Sequence, residues 1–371
     1  MTDKKFKLTL IINICLIGLF PVSVVFYFIA KNYPDFVGSP FMKIPFYLFK
    51  YTIGAVSNIL PFSLSEAILI IGIPFLIIFS IIKIIKWVKQ DNLKKIALLL
   101  TGIFAVSSIM ACYFIGVWSV NFHGYDFAKL SGLDNSPVSK TELYETTKIL
   151  AENLNRLSQN IEYDEKGFST YNNNKFYKME KEIRQSYKNL NKIYPVIGKY
   201  PQRAKPIILS KPLTYTYIAG IYVPFMAEAN VNINFPYFVV VQSVGHEMAH
   251  SLGFVREDEA EFIGYLVCKY SENGYYEYSG YMNAYIYASN ALAKADKKAF
   301  AKVYNSLDEK VRKELSSYNE FMNEYRNQTV SSVTEKVNDT YLKGNGQTDG
   351  TKSYGRMVDL LVAEYRYNLH K

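Results

Sequence analysis

Three stretches of this 371-residue chain can be buried only in something larger than one small core. Leu8 to Ala30 is almost uninterrupted apolar sequence. So are Phe62 to Ile82, with Glu66 near its start, and Ile96 to Val120. Each is long enough to cross about 30 Å of hydrocarbon as a helix. A segment in lipid must satisfy its own backbone hydrogen bonds, which selects the helix. Lys4, Lys5 and Lys7 precede the first run as they would in a signal peptide. That run is too long for one, no A-x-A site follows it, and two more runs come after. The sequence therefore predicts a membrane domain over residues 1–120, with three retained spans near 8–30, 62–84 and 96–120. A second domain occupies residues 121–371.

The lysines orient the spans. Lys4, Lys5 and Lys7 lie before the first, and Lys83, Lys86, Lys89, Lys94 and Lys95 between the second and third. Both clusters belong on the cytoplasmic side of a cell membrane, so the N-terminus is cytoplasmic and the chain after Val120 is outside. The loop from Lys31 to Pro61 is then also outside. It is poor in charge and rich in Pro and aromatics, and Phe46 to Leu60 is expected as an interfacial helix or a plain loop. The net charge of +9 does not imply nucleic acid. Residues 1–120 hold 11 Lys against 4 acidic residues, which leaves 31 of the 42 basic and 29 of the 33 acidic residues for 121–371. The excess belongs to the membrane flanks, and the implied partner is the lipid bilayer. Of the three cysteines, only Cys268 lies beyond the spans, so that domain has neither an internal disulfide nor a Cys cluster for metal.

The second domain is organised around Gly245-His246-Glu247-Met248-Ala249-His250-Ser251-Leu252-Gly253. If Phe238 to Ser251 is helical, His246 and His250 lie just over one turn apart and project from one face, close enough to share a metal ion. Glu247 follows the first histidine, beside the metal, where it can take a proton from a metal-bound water. Two neutral imidazoles, a third ligand from elsewhere and a carboxylate base form the HExxH arrangement of zinc metallopeptidases, with Zn2+ as cofactor. The chain has only four histidines, so this register is not a product of abundance. Pro236 to Val244 is too short an apolar run to span a membrane, which argues against an intramembrane protease.

After His250 the sequence continues HxxGxxR. It resembles the metzincin motif up to its last position, where Arg256 replaces the third histidine, and a guanidinium does not ligate zinc. Gly253 is expected as a left-handed cap that ends the helix. The segment Arg256-Glu257-Asp258-Glu259-Ala260-Glu261-Phe262 resembles the glutamate helix of gluzincins. Aligned on Ala260, that resemblance puts the zinc ligand on Glu257 and the residue supporting a liganding histidine on Glu261, where the family has Asp or Asn. Glu257 and Glu261 share a helix face, so either carboxylate is a candidate third ligand. Asp258 and Glu259 are expected only to favour the helix N-terminus.

Around this motif, Ser139-Lys140-Thr141-Glu142 reads as a capping box opening a helix to about Ser158. A second helix, about residues 174–193, is expected to complete an αα-hairpin with it. Short β-rich runs follow at 206–209, 213–218, 221–225 and 229–233. They are similar to the small sheet before the active-site helix of gluzincins, whose edge strand binds extended substrates. Tyr217, Tyr222 and Asn230 either line that cleft or are ordinary sheet residues. From Glu257 onward, helices are expected near 257–273, 276–293, 297–306, 308–327 and 330–342. A glycine-rich loop at 344–350 then leads to Ser353-Tyr354-Gly355-Arg356 and a last helix. Such a loop could bring a transition-state stabiliser over the zinc, with Tyr354 and Arg356 as candidates.

Pro61-Phe62-Ser63-Leu64, Pro224-Phe225, Glu228-Ala229-Asn230-Val231-Asn232, the HExxH segment, Arg256 to Ala260, Tyr341-Leu342-Lys343 and Ser353 to Arg356 together resemble an uncharacterised bacterial membrane family. That family is a domain of unknown function with three N-terminal spans and a gluzincin-like C-terminal part. The resemblance implies a membrane-anchored α+β chain whose mostly helical zincin-like domain has a small sheet before the HExxH helix. The expected activity is hydrolysis of peptide bonds outside the cytoplasm, on a peptide or protein substrate, with cell-wall peptide as one candidate. A non-catalytic zinc-binding sensor or scaffold at the membrane is the alternative.

Overall fold

The computed structural model describes residues 2–171 and 175–369, and the side chains of Pro40, Ser353 and Tyr354 lie outside that description. The chain is mostly helical and divides into two units. One comprises Met1–Gly124 with Val223–Ala227, and the other Tyr125–Tyr222 with Glu228–Lys371.

In the first unit three helices are long and apolar enough to cross a membrane: Asp3–Lys31, Leu64–Lys89 and Leu93–His123. Their large apolar side chains, Leu69, Ile71, Phe75 and Phe104 among them, are exposed, as a lipid-facing surface requires. These features point to a membrane-associated chain. The first helix is interrupted at Gly18, and Pro21 has no N–H to give the Ile17 carbonyl. The third helix repairs the gap, where the Ser108 hydroxyl donates to the carbonyls of Leu16 (2.9 Å) and Ile17 (3.2 Å). The Asn13 amide donates to Thr101 Oγ1 at 2.9 Å between the same two helices, the kind of polar tie that holds helices together in lipid. The second span contains a π turn over Ile68–Gly72, just before Pro74, where the missing N–H loosens the ladder.

The loop before the second span is more helical than the sequence suggests. Helices cover Pro34–Gly38, Pro40–Tyr51 and Ile53–Ile59. The single helix expected over 46–60 is instead broken at Thr52, whose φ of −105° and ψ of −83° leave the helical region. In Val223–Ala227 the Pro224 carbonyl accepts the Tyr113 hydroxyl at 2.9 Å, and the Phe225 ring stacks on Phe114.

In the second unit, helix α1 (Lys140–Ser158) opens with the expected capping box. Ser139 Oγ accepts the Glu142 N–H at 3.2 Å and Glu142 Oε2 accepts the Ser139 N–H at 3.0 Å. Strands β1 (Glu162–Tyr163) and β2 (Ser169–Thr170) form a small antiparallel hairpin before α2 (Phe176–Ile193); residue 174, in the expected start of α2, lies outside the described residues. The expected αα-hairpin is not formed. Leu143, Leu150, Leu154 and Leu157 turn α1 onto a later helix, Gly274–Ala295, whereas Met179, Ile183, Tyr187 and Leu190 turn α2 onto the HExxH helix and the one after it. The β-hairpin between them is pinned by the buried Glu314, which accepts Ser169 N–H (2.9 Å), Ser169 Oγ–H (2.6 Å) and Tyr278 Oη–H (2.5 Å).

Strands β3 (Ala204–Pro206), β4 (Gly220–Val223) and β5 (Glu228–Val231) form a sheet in the order β3-β5-β4, with β3 parallel to β5 and Ala204 opposite Ala229. The strand expected at 213–218 is replaced by a helical turn, Ser210–Thr214, and a bend through Tyr217 at φ +60°. Pro212 has no N–H for a ladder, and Ser210 Oγ bonds the Ile207 carbonyl at 2.6 Å, so local side-chain bonding wins over β propensity. The remaining helices fall within a few residues of expectation: α3 (Tyr237–His250), α4 (Glu257–Lys269), α5 (Gly274–Ala295), α6 (Lys297–Asn305), α7 (Glu309–Glu324), α8 (Gln328–Gly344) and α9 (Met357–Leu369).

Helix α9 is tied back to the start of the unit by Arg366, which grips Glu142 with two nitrogens (2.8 and 3.1 Å) and donates to the carbonyls of Asp134, Ser136 and Pro137. The Arg366 guanidinium, with help from Ser139, lowers the Glu142 carboxyl from 4.5 to about 2. A depressed carboxylate contributes stability that is fully present above 4.5 and lost as pH falls through about 2. Urea midpoints at pH 6 and pH 3 should therefore show Arg366→Ala less stable at pH 6, with a smaller gap at pH 3. A gap that widens on acidification would contradict this assignment.

Candidate metal centre

Phe238 to Val241 is apolar and β-branched, and every residue of α3 after Tyr237 is buried, as for a helix enclosed on all sides. Gly253, at φ +96°, ends this segment and turns the chain back. The turn brings the Phe254 carbonyl to 2.7 Å from His250 Nδ1. Helix α4 then starts at Glu257 and crosses α3 where two glycines meet. A Cβ on Gly245 would lie 2.7 Å from Val267 Cγ1 and 3.2 Å from Gly264 Cα, and one on Gly264 would lie 3.0 Å from the His246 backbone nitrogen. The Tyr187 hydroxyl donates to the Gly245 carbonyl at 2.6 Å and fixes the crossing from the α2 side.

At that crossing His246, His250 and Glu257 converge. The two Nε2 atoms are 3.1 Å apart, and Glu257 Oε2 is 3.2 Å from His246 Nε2 and 3.7 Å from His250 Nε2. Ligands at about 2.1 Å around a tetrahedral ion are separated by about 3.4 Å, so one divalent cation fits among these three atoms. The other nitrogen of each ring is occupied. His250 Nδ1 faces the Phe254 carbonyl, and His246 Nδ1 faces Glu261 Oε2 at 2.7 Å. Both contacts call for a proton on Nδ1 and leave the Nε2 lone pairs facing inward. Of the two carboxylates on one helix face, Glu257 thus joins the three-atom group and Glu261 stands behind His246.

The electrostatics suit a cation. Burial raises the Glu257 carboxyl, but the two imidazoles outweigh it and hold Glu257 below the usual carboxylate range. Burial opposes a proton on His246, yet Glu257 and Glu261 raise its proton affinity well above that of a free imidazole. Glu247 lies beside the group, with Oε1 3.9 Å from His246 Nε2. It is only 3% exposed, its Oε2 has no hydrogen-bond partner among the described residues, and burial pushes its carboxyl up to about 7. Gly220, on the edge strand β4, lies directly against it, and a Cβ there would be 2.4 Å from Glu247 Oε1. The Tyr222 ring is centred 6.0 Å from that of His250.

Other candidates are placed elsewhere. Tyr217 donates to the Met322 carbonyl, and the Asn230 amide donates to the carbonyls of Ile221 and Glu228. Glu259 accepts the Phe127 N–H at 2.8 Å and pairs with Arg256. Arg356 faces Asp258 and Asp349, each at 3.5 Å, and no contact joins it to His246, Glu247, His250 or Glu257 among the described residues. The Tyr354 side chain lies outside the described residues. Gln242, Asn283 and Gly220 touch the site without having been singled out by sequence. Gln242 precedes His246 by one turn on the same face, a spacing that could have found it, whereas Asn283 and Gly220 have no local signal.

A family model described as "Protein of unknown function (DUF3810)" matches residues 41–362, a stretch that includes this whole site. The chain belongs to the DUF3810 family. No curated protein and no solved structure matches it. The second and third apolar spans and all four residues of the His–Glu group therefore fall within the DUF3810 match.

Proposed function

We propose that this DUF3810 protein is a membrane-anchored zinc-dependent peptidase of the gluzincin kind, hydrolysing peptide bonds outside the cytoplasm. The observation that carries this reading is the meeting of His246 Nε2, His250 Nε2 and a Glu257 oxygen within 4.8 Å of one another, with Glu247 alongside. Two imidazoles and one carboxylate form the three-ligand set of a catalytic zinc site, which leaves a position open. Zinc bound there would acidify a water molecule and polarise the scissile carbonyl. Glu247 takes the proton of that water on its carboxylate and returns it to the leaving amine nitrogen. The edge strand β4, against Glu247 at Gly220, suits a substrate that binds extended along a sheet edge. The zincin-like fold rests on this sheet and on the pair α3 and α4.

The positive flanks of the spans support a reading with the N-terminus in the cytoplasm and the second unit outside it. Cell-wall peptide stems then belong to the accessible substrates. Metal analysis of the full-length protein in detergent, with cleavage of an unbiased peptide library, tests the reading. One zinc per chain and cleavage that ceases with chelator are expected. Zinc without cleavage would favour a sensor or scaffold, and no metal at all would remove both.

Gly220 provides a narrower check. The three atoms nearest to a methyl group there all belong to the Glu247 side chain, so Gly220→Ala should displace the base and spare the metal. Library cleavage is expected to fall about 100-fold, the effect of a displacement of about 1 Å, at unchanged zinc content. Unimpaired cleavage would show that Glu247 need not occupy this position.

A further inference from the structure

We propose that Gln242 and Asn283 are positioning residues of this centre, acting through Glu261; the inference rests on the metal-binding reading above. Glu261 is buried on α4 and its two oxygens have separate tasks. Oε2 faces His246 Nδ1 at 2.7 Å. Oε1 accepts two amide N–H groups, from Asn283 Nδ2 at 2.5 Å and from Gln242 Nε2 at 3.0 Å. The Gln242 amide also lies 3.4 Å from the Glu261 carbonyl. The three side chains come from three helices, α5, α3 and α4, so the carboxylate is fixed from two sides.

The chemistry explains the need. A glutamate has one more rotatable bond than an aspartate, and a buried carboxylate with one unanchored oxygen can swing. Two neutral donors on Oε1 remove that freedom without adding charge to the centre. With Oε1 anchored, Oε2 has one position, and it holds the His246 proton on Nδ1 and the Nε2 lone pair inward. Gln242 is aligned with His246 and His250 along α3, so one helix face supplies both the imidazoles and an anchor for their support.

Two substitutions keep side-chain size and remove the donor: Gln242→Met and Asn283→Leu. Zinc affinity of the full-length protein in detergent, read by competition with a chromophoric chelator, is expected to fall about tenfold for each, the lower end of what supporting residues contribute. In a Glu261→Ala background neither should weaken binding further, since their route to the metal is already cut. The visible absorption band of the cobalt-substituted protein should shift in the same direction for Gln242→Met, Asn283→Leu and Glu261→Ala. A purely structural role would leave that band in place. Wild-type protein that binds zinc, with both variants unchanged in affinity and cobalt band, overturns this inference alone. Losses that add fully to that of Glu261→Ala also overturn it. Wild-type protein that binds no zinc overturns the metal reading and this inference together.

Discussion

Glu247→Gln is expected to lower peptide hydrolysis by about 100- to 10,000-fold, the usual contribution of a positioned general base, with zinc still bound at one per chain. Glutamine matches glutamate in size and can occupy the space under Gly220, but its amide cannot accept a proton at neutral pH. Glu247 is not one of the three converging ligand atoms, so its charge is lost without breaking the cage. Burial, partly offset by the two imidazoles, raises its carboxyl to about 7, and a dication nearby would favour the anion. Activity should therefore decline as pH falls, with the base lost at a pH below 7. Purified Glu247→Gln that retains wild-type turnover, measured with metal content on the same sample, would remove Glu247 from the mechanism.

Glu257→Ala and Glu261→Ala are expected to differ in degree. Glu257 Oε2 faces both Nε2 atoms, so its removal takes away one of three ligands and should lower zinc affinity by more than 100-fold. Glu261 supports His246 from the Nδ1 side, and outer partners of this type contribute about 10- to 100-fold. Chelator competition on both variants gives the order directly. If Glu261→Ala abolishes zinc binding and Glu257→Ala leaves it intact, the two carboxylates have been assigned the wrong way round.

The sequence makes some features legible and hides others for physical reasons. The three spans follow from uninterrupted apolar runs, and α1 and α3 from local signals, a capping box and a helix-spaced pair of histidines. The choice between Glu257 and Glu261 could not be made there. Both lie on one helix face, and what separates them is which nitrogen of His246 each meets, a property of the α3–α4 crossing. Residues 213–218 read as a strand because Leu, Tyr, Thr and Ile favour one, while the contacts that bend them, from Ser210 and Pro212, lie just upstream. The two-residue strands β1 and β2 are too short to leave an alternating pattern, so the break between α1 and α2 passed for a loop. Gly220 touches Glu247 across the fold, and no spacing along the chain announces it.

The bare backbone contact between Gly245 and Gly264 makes the gap between the two ligand-bearing helices a main-chain dimension. Side chains can change rotamer when a neighbour is trimmed, whereas two touching backbones have nothing comparable to relax. Thinning the apolar interior elsewhere should therefore lower the melting temperature well before it changes which ions fit. The separation of these two helices is set by the absence of two methyl groups, and a single alanine at either glycine would widen it.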